Sequence, residues 1–409
     1  MFKQFGENNS DIHPRTAVSE LASVLTELEQ GDFASRWETA KHIPDFGDSA
    51  IACLIDLLDK NVEDPELQWF VARILGQYHH ADAVMALAQL LQNTEDDDVA
   101  EIAAQMLAQI GPQAIDTLAT LLESQPSRML VVSALSQIQD AAIVPILLTV
   151  VMDENASVRR QVIETLSRFH HAQIIPALLQ GLADLNAQVR QVAIAGISYR
   201  AHLLQEQGHD PVTLIQPFLK DLDIQVCQTA ALALGRLGTN VAAQALRTAS
   251  AEKIPIPLKL TIVQALGQMG NDQSVQVLQK LWPQRKSSLQ VVDEEDQTLA
   301  AAIINALALN RPTDQSTQVL IHCLHHQPMS DLALQKSIAS ALGQSGDLQA
   351  IPELIQLLGT PDMGVRLHAI AALKQIAAEE SYSKLQALAA DNTVEKEVRD
   401  GVAIALQEW

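Results

Sequence analysis

The chain has 409 residues and a formal net charge of −22 at pH 7, which argues against a nucleic-acid partner because phosphate binding needs a basic stripe. Apolar residues make up 48% of it and aromatic residues only 3%. A core so poor in aromatics is aliphatic, and it favours packed helices over strands.

Residues 1–15, "MFKQFGENNSDIHPR", lack the apolar stretch of a signal peptide and read as a flexible tail. The longest apolar runs, such as "AIVPILLTVVM", contain proline and are too short to span a bilayer. Cys53, Cys227 and Cys323 are far apart and form no CxxC pair. They suit a reducing compartment, and a cytoplasmic location is expected.

From residue 16 the chain repeats. "GDFASRWETAKHIPDFG" opens it as an atypical unit that covers an end of the stack. The acidic run "TEDDD" (94–98) lacks the alternating oxygen spacing of a calcium loop and reads as a solvated loop. "QDAAIVPILLTVV", "HHAQIIPALLQGL" and "GDLQAIPELIQLL" align on Pro145, Pro176 and Pro352. A Val-Arg pair follows each at the same distance, ending at Arg159, Arg190 and Arg366. "ALGRLG", "ALGQMG" and "ALGQSG" close units at Gly238, Gly270 and Gly346.

Each unit reads as two helices. Ile175, Leu178, Leu179 and Leu182 make the apolar stripe of a first helix, and Val158, Val162, Leu166 and Phe169 that of a second. Junctions fall at Gly47, His79, Gly111, Gln139, His170, Ala201, Gly238, Gly270, Asn310, Gly346 and near Ala378. Neither helix buries its stripe alone, whereas stacked neighbours do.

The doubled histidines His79–His80 and His170–His171 fall on these junctions. His79 and His170 take the helix-ending place, and His80 and His171 the N-cap place. Three stacked units separate the pairs by roughly 25–30 Å, too far to share a metal ion. A junction histidine is also a candidate for titration near neutrality.

Two insertions interrupt the period. Residues 200–211 mark a possible bend and end in the capping pair Asp210-Pro211. Residues 283–298, which include "DEED", read as a polar surface loop. Further on, "LIHCLHHQ" places His322, Cys323 and His326 within one helical turn of one another. They are candidate zinc ligands that still need a fourth donor; the plainer reading is a helix C-terminus enriched in histidine.

The pattern "D…VR…A…ALG.LG" at a period near 31 residues resembles HEAT repeats, and more narrowly the short bacterial kind called PBS-lyase HEAT-like repeats, over residues 16–409. That resemblance implies an all-α fold, a single α-solenoid of about twelve helical pairs. It also implies an Asp/Arg ladder between neighbours, matched by Asp153 with Arg159, Asp184 with Arg190, and Asp391 with Arg399. Cys227 and Thr360 depart from the motif and should break the ladder. Similar repeats occur in adaptors, in the E/F-type bilin lyases, in phycobilisome turnover factors and in deoxyhypusine hydroxylase. The last is excluded, because it needs His-Glu dipeptides and none of the twelve histidines here precedes a glutamate. Phosphate loops, HExxH and GxSxG are absent from the sequence.

In a solenoid the second helices line the concave side. Their outward column holds Arg168, Tyr199, Arg236 and Gln268, and arginine and tyrosine dominate binding hot spots. The expected function is therefore a non-enzymatic scaffold that binds a protein partner on that side and takes no cofactor. The alternative is a bilin lyase or another phycobilisome-associated factor. In that case Arg168 and Arg236 would hold the propionates of a bilin. The sequence leaves the partner's identity and the oligomeric state open.

Overall fold

The computed structural model describes residues 14–123, 128–283, 294–309, 314–326, 331–391 and 393–409. Every regular element among them is helical, and the fold is an all-α solenoid. Residues 1–13, most of the expected tail, lie outside the described residues.

The chain divides into two compact units, Met1–Ala177 and Leu178–Trp409. The first holds α1 (Pro14–Gln30), α2 (Phe33–Ala40), α3 (Ser49–Lys60), α4 (Pro65–Leu75), α5 (Ala81–Asn93), α6 (Asp97–Ile110), α7 (Ile115–Leu121), α8 (Arg128–Gln137), α9 (Ile143–Leu148) and α10 (Ala156–Leu166). The boundary falls inside α11 (Ile175–Leu182). The second holds α12 (Ala187–Tyr199), α13 (Ala201–Glu206), α14 (Pro211–Ile215), α15 (Ile224–Leu237), α16 (Asn240–Ser250), α17 (Ile256–Met269) and α18 (Asp272–Leu281). It continues through α19 (Glu294–Leu309), α20 (Asp314–His325), α21 (Leu332–Ser345), α22 (Ile351–Leu357), α23 (Met363–Ala390) and α24 (Lys396–Gln407).

Within each unit the helices form two layers. In the first, α2, α4, α6, α8 and α10 pack in succession, with α3, α5 and α7 in a parallel row. In the second, α12, α15, α17, α19, α21 and α23 pack in succession, with α16, α18 and α20 alongside. Stripes such as Leu67, Val71, Ile74 and Leu75 of α4 are fully buried between the layers. This burial contributes most of the stability, because helices this short are marginal alone.

The "ALG" motif has two glycine roles. Gly238 and Gly346 end α15 and α21 at φ 65° and 66°, a left-handed conformation that side chains resist. Gly235 and Gly343 instead let helices meet. A Cβ on Gly235 would sit 2.8 Å from the Cβ of Ala265 in α17, and one on Gly343 2.8 Å from Ala372 in α23.

The helices start where polar caps allow. Asn155, Asn186 and Asp223 accept from the free N–H groups of α10, α12 and α15. The junction histidines do the same: His80 Nδ1 accepts from the N–H of Asp82 at 3.2 Å, and His171 Nδ1 from that of Gln173 at 3.4 Å.

Two expectations are corrected. Residues 94–98 are no free loop: Asp96 caps α6 by accepting from Val99, and Asp97 and Asp98 form its first turn. Carboxylates belong there because the helix dipole is positive at that end. Glu294, Glu295 and Asp296 likewise begin α19, so only 284–293 of the expected loop stay unassigned, outside the described residues. In the 200–211 insertion, residues 201–206 form α13, and Leu204 anchors it in the core at 0% exposure. Asp210 and Pro211 then start α14.

Near Ala378 no full break separates the pairs. α23 runs through, with one non-helical residue, Ala377 (φ −161°, ψ 86°). The buried Ser381 hydroxyl donates to the Leu373 carbonyl at 3.1 Å across this kink.

Candidate protein-binding face

The four predicted face residues are exposed and sit at the C-terminal ends of second helices. In the first unit, Arg168 Nη1 donates to the Ser136 carbonyl at 3.3 Å, one repeat back. In the second unit, the Arg236 guanidinium lies 4.2 Å from the centroid of the Tyr199 ring. Its Nη1 donates to the Ser198 hydroxyl at 2.6 Å. Tyr199 remains 57% exposed. Gln268 stands exposed at the equivalent place on α17.

The same place recurs in other repeats of each unit. Counting from the N-cap of each second helix, the same position carries Gln77 and Gln109 in the first unit, and Gln344 and Gln375 in the second, all exposed. The signal was present in the repeat register, and it shows once each N-cap is fixed.

The ladder residues lie at the opposite, N-terminal ends of the second helices. Arg190 Nη1 donates to the carbonyls of Asp184 (2.9 Å) and Leu185 (3.0 Å), so it braces its own junction. Its Nε and Nη2 reach the Asp221 carboxylate at 2.9 and 2.8 Å, in the next repeat. The pair is bidentate and mostly buried, with 15% and 10% of the two side chains exposed. Burial pushes the Asp221 carboxyl up, but the Arg190 hydrogen bonds and the Asp223 N–H outweigh it, and it titrates below the usual range. The Asp221 hydrogen bond holds Arg190 above its usual value.

Arg159 likewise donates to the carbonyls of Asp153 (2.7 Å) and Glu154 (3.0 Å). The Asp153 carboxylate meets Arg128 of the preceding repeat at 2.6 Å. Each carboxylate rung therefore joins an arginine to the acid one repeat later. The Asp391 carboxylate accepts from Thr393 and is exposed.

At the departures from the motif, Cys227 Sγ sits 3.2 Å from the Asp221 carbonyl, the contact an arginine would make. Lys253 stands where the next acid would be. Thr360 is likewise matched by Gln335 one repeat earlier, and Lys336 pairs with Asp362 beside them at 3.2 Å.

The candidate zinc residues do not converge as donors. His322 and His326 stack, with centroids 3.8 Å apart. His326 Nδ1 is taken by the His322 carbonyl at 2.9 Å. Cys323 points into the core at 0% exposure, and burial pushes its thiol up to about 12. His325 pairs with Glu353 at 2.6 Å. Among the described residues no three His, Cys, Asp or Glu side chains cluster as metal ligands, and no helix is long and apolar enough to cross a membrane.

Comparison with curated proteins finds no match. Among solved structures, importin beta is 14% identical with a TM-score of 0.54, covering 94% of this chain and 60% of its own. Kap121p is 14% identical with a TM-score of 0.58, covering 96% of this chain and 49% of its own. A second structure of Kap121p, bound to RanGTP, is 16% identical with a TM-score of 0.57 and covers 96% and 48%. The chain thus spans 60% of importin beta and about half of Kap121p. At these identities the likeness shows the fold. The sequence profile of HEAT repeats matches residues 18–108, 52–130, 115–198, 175–255 and 329–407. With most of its length so matched, and with its paired helices stacked in two layers, the chain belongs to the HEAT-repeat family.

Proposed function

We propose that this protein is a non-enzymatic scaffold that binds a protein partner on the exposed face of its second helices. The observation that carries this reading is the Tyr199–Arg236 stack. Two side chains of the types that dominate binding hot spots are exposed, yet held in one geometry by the ring face and the Ser198 hydroxyl. Side chains fixed before binding lose little entropy on docking. Kap121p, which shares the fold, was solved with RanGTP bound, which supports a stack of this kind serving a protein partner.

The test is capture of partners by the tagged protein from its native host, with wild type against Tyr199→Ala/Arg236→Glu. Loss of two hot-spot side chains should weaken capture at least ~30-fold, equivalent to about 2 kcal/mol. An unchanged set of partners at unchanged yield would overturn the reading. The second reading, a bilin-handling factor of the E/F-lyase type, draws on the PBS-lyase-like repeat and on Arg168 and Arg236 as carboxylate holders. A linear tetrapyrrole mixed with the protein should then shift its visible absorption, and no shift would remove it.

A further inference from the structure

Aromatic residues are scarce in this chain, yet four of them meet in the first unit. The ring centroids of Phe33 and Trp69 each lie 5.3 Å from that of Phe70, and Trp37 stacks on Phe33 at 6.1 Å. Phe70 is fully buried and serves as the floor, whereas Phe33 is 56% exposed. Next to the buried ring of Phe70, it gives this end of the unit an aromatic surface. Beside these rings runs an open groove of about 490 Å³ between α2, α4 and α6, within the usual range for binding sites.

The wall of the groove is acidic. Glu66, Asp96, Asp98 and Glu101 line it, against a single cation, Arg73. Glu66 already shares Arg36 at 3.1 Å, and Asp96 is used as the α6 cap. Asp98 and Glu101 make no ion pair with any described residue. The helix dipole accounts for Asp98, in the first turn of α6. It does not account for Glu101, a turn further on, or for the rings opposite. Arg73 shows what these rings accept, because its guanidinium lies 4.9 Å from the Trp37 centroid and 5.5 Å from that of Trp69.

We propose that this groove binds an arginine side chain carried on a basic segment of a partner protein. The flat guanidinium stacks on the exposed ring of Phe33 and the half-buried ring of Trp69 and donates to the carboxylates of Asp98 and Glu101. Arginine suits the site better than lysine, because it is planar, weakly hydrated and able to bond two carboxylates at once. The inference rests on the reading that second helices face a protein partner, and it adds the chemistry of that partner.

The experiment titrates the full chain into a fluorescein-labelled, capped hexa-arginine peptide and reads anisotropy, with a hexa-glutamate peptide as the opposite probe. Saturable binding of the arginine peptide alone is expected. Asp98→Asn/Glu101→Gln and Trp69→Ala should each weaken it at least ~10-fold, while Trp69→Phe, which keeps a ring, retains most of it. Asp116→Asn/Glu123→Gln removes the same charge at α7 and should change it less than ~2-fold. Circular dichroism of each variant establishes that the helices persist.

Equal loss in both charge variants would mean attraction to the net charge of −22 and would overturn the proposal. So would unchanged binding by Trp69→Ala, binding of the glutamate peptide, or no saturable binding by wild type. Tyr199→Ala/Arg236→Glu should leave the peptide affinity intact. If that variant loses the native partner while the peptide fails to bind wild type, the groove proposal falls and the scaffold reading stands. If peptide binding follows the groove variants while the native partner ignores the column, the reverse holds.

Discussion

The Arg190–Asp221 rung shows what one residue contributes to a stacked fold. Both groups are largely out of water, so removing one leaves the other buried and uncompensated. Asp221→Asn should cost about 3 kcal/mol at neutral pH, read by urea denaturation; a loss under ~1 kcal/mol would mean water replaces the carboxylate. The sign with pH follows from the direction of the shift. A carboxyl that titrates lower when folded stabilises the fold above its unfolded value, ordinarily 3.8, and that stabilisation disappears as pH falls through the folded value. Wild type should therefore lose more stability than Asp221→Asn between about pH 5 and pH 2. The participants were legible in sequence as a recurring Asp and Arg. Which acid each arginine reaches was not, because the contact crosses from one repeat to the next and depends on how far each repeat steps forward. The substitution of both members together, Cys227 with Lys253 and Gln335 with Thr360, spares the fold an orphaned buried charge.

For the elements, helical periodicity and polar caps located nearly every helix. They failed where a segment was too short to show a period. α13 has six residues and one core side chain, Leu204, so the insertion at 200–211 showed no helix to read. The acidic stretches misled for another reason: carboxylates before a helix and carboxylates in a loop have the same composition. The two glycine roles give a paired prediction. Gly235→Val places atoms within 2.8 Å of Ala265, and the second helices must part, at about 2–3 kcal/mol. Gly238→Ala meets nothing within 4 Å and costs only its left-handed backbone, about 1–2 kcal/mol. Thermal and denaturant unfolding of the two variants should rank them in that order; equal effects would show that α15 and α17 have slack between them.

Taken whole, the molecule carries an excess of acid that its rungs do not neutralise. At low ionic strength the carboxylates repel along the stack, so the melting temperature should rise as NaCl increases from about 20 to about 200 mM. A fall would mean that the Arg–carboxylate rungs dominate, since salt screens those too. The class of fold was legible because every repeat restates it, and the repeat register put Tyr199 and Arg236 at matching places of neighbouring helices, where they stack. The aromatic groove was not legible, because Phe33, Trp69 and Glu101 belong to three successive repeats and only stacking brings them together.

The missing rung at Cys227 has a mechanical side. Where α15 meets α17, the sheltered cross-link is neutral: the Gln228 amide donates to the Thr261 hydroxyl at 3.0 Å and to the Pro257 carbonyl at 3.4 Å, while the ion pair across the same joint, Lys220–Glu252 at 2.6 Å, lies in water and adds little. A neutral fastening is weaker than a buried ionic one and indifferent to acid and salt. Pulled along its length at neutral pH, the second unit should part first at this joint. Pulled in acid, with Asp221 protonated, it should yield first at the joint above, so the weakest link moves by one repeat with the proton.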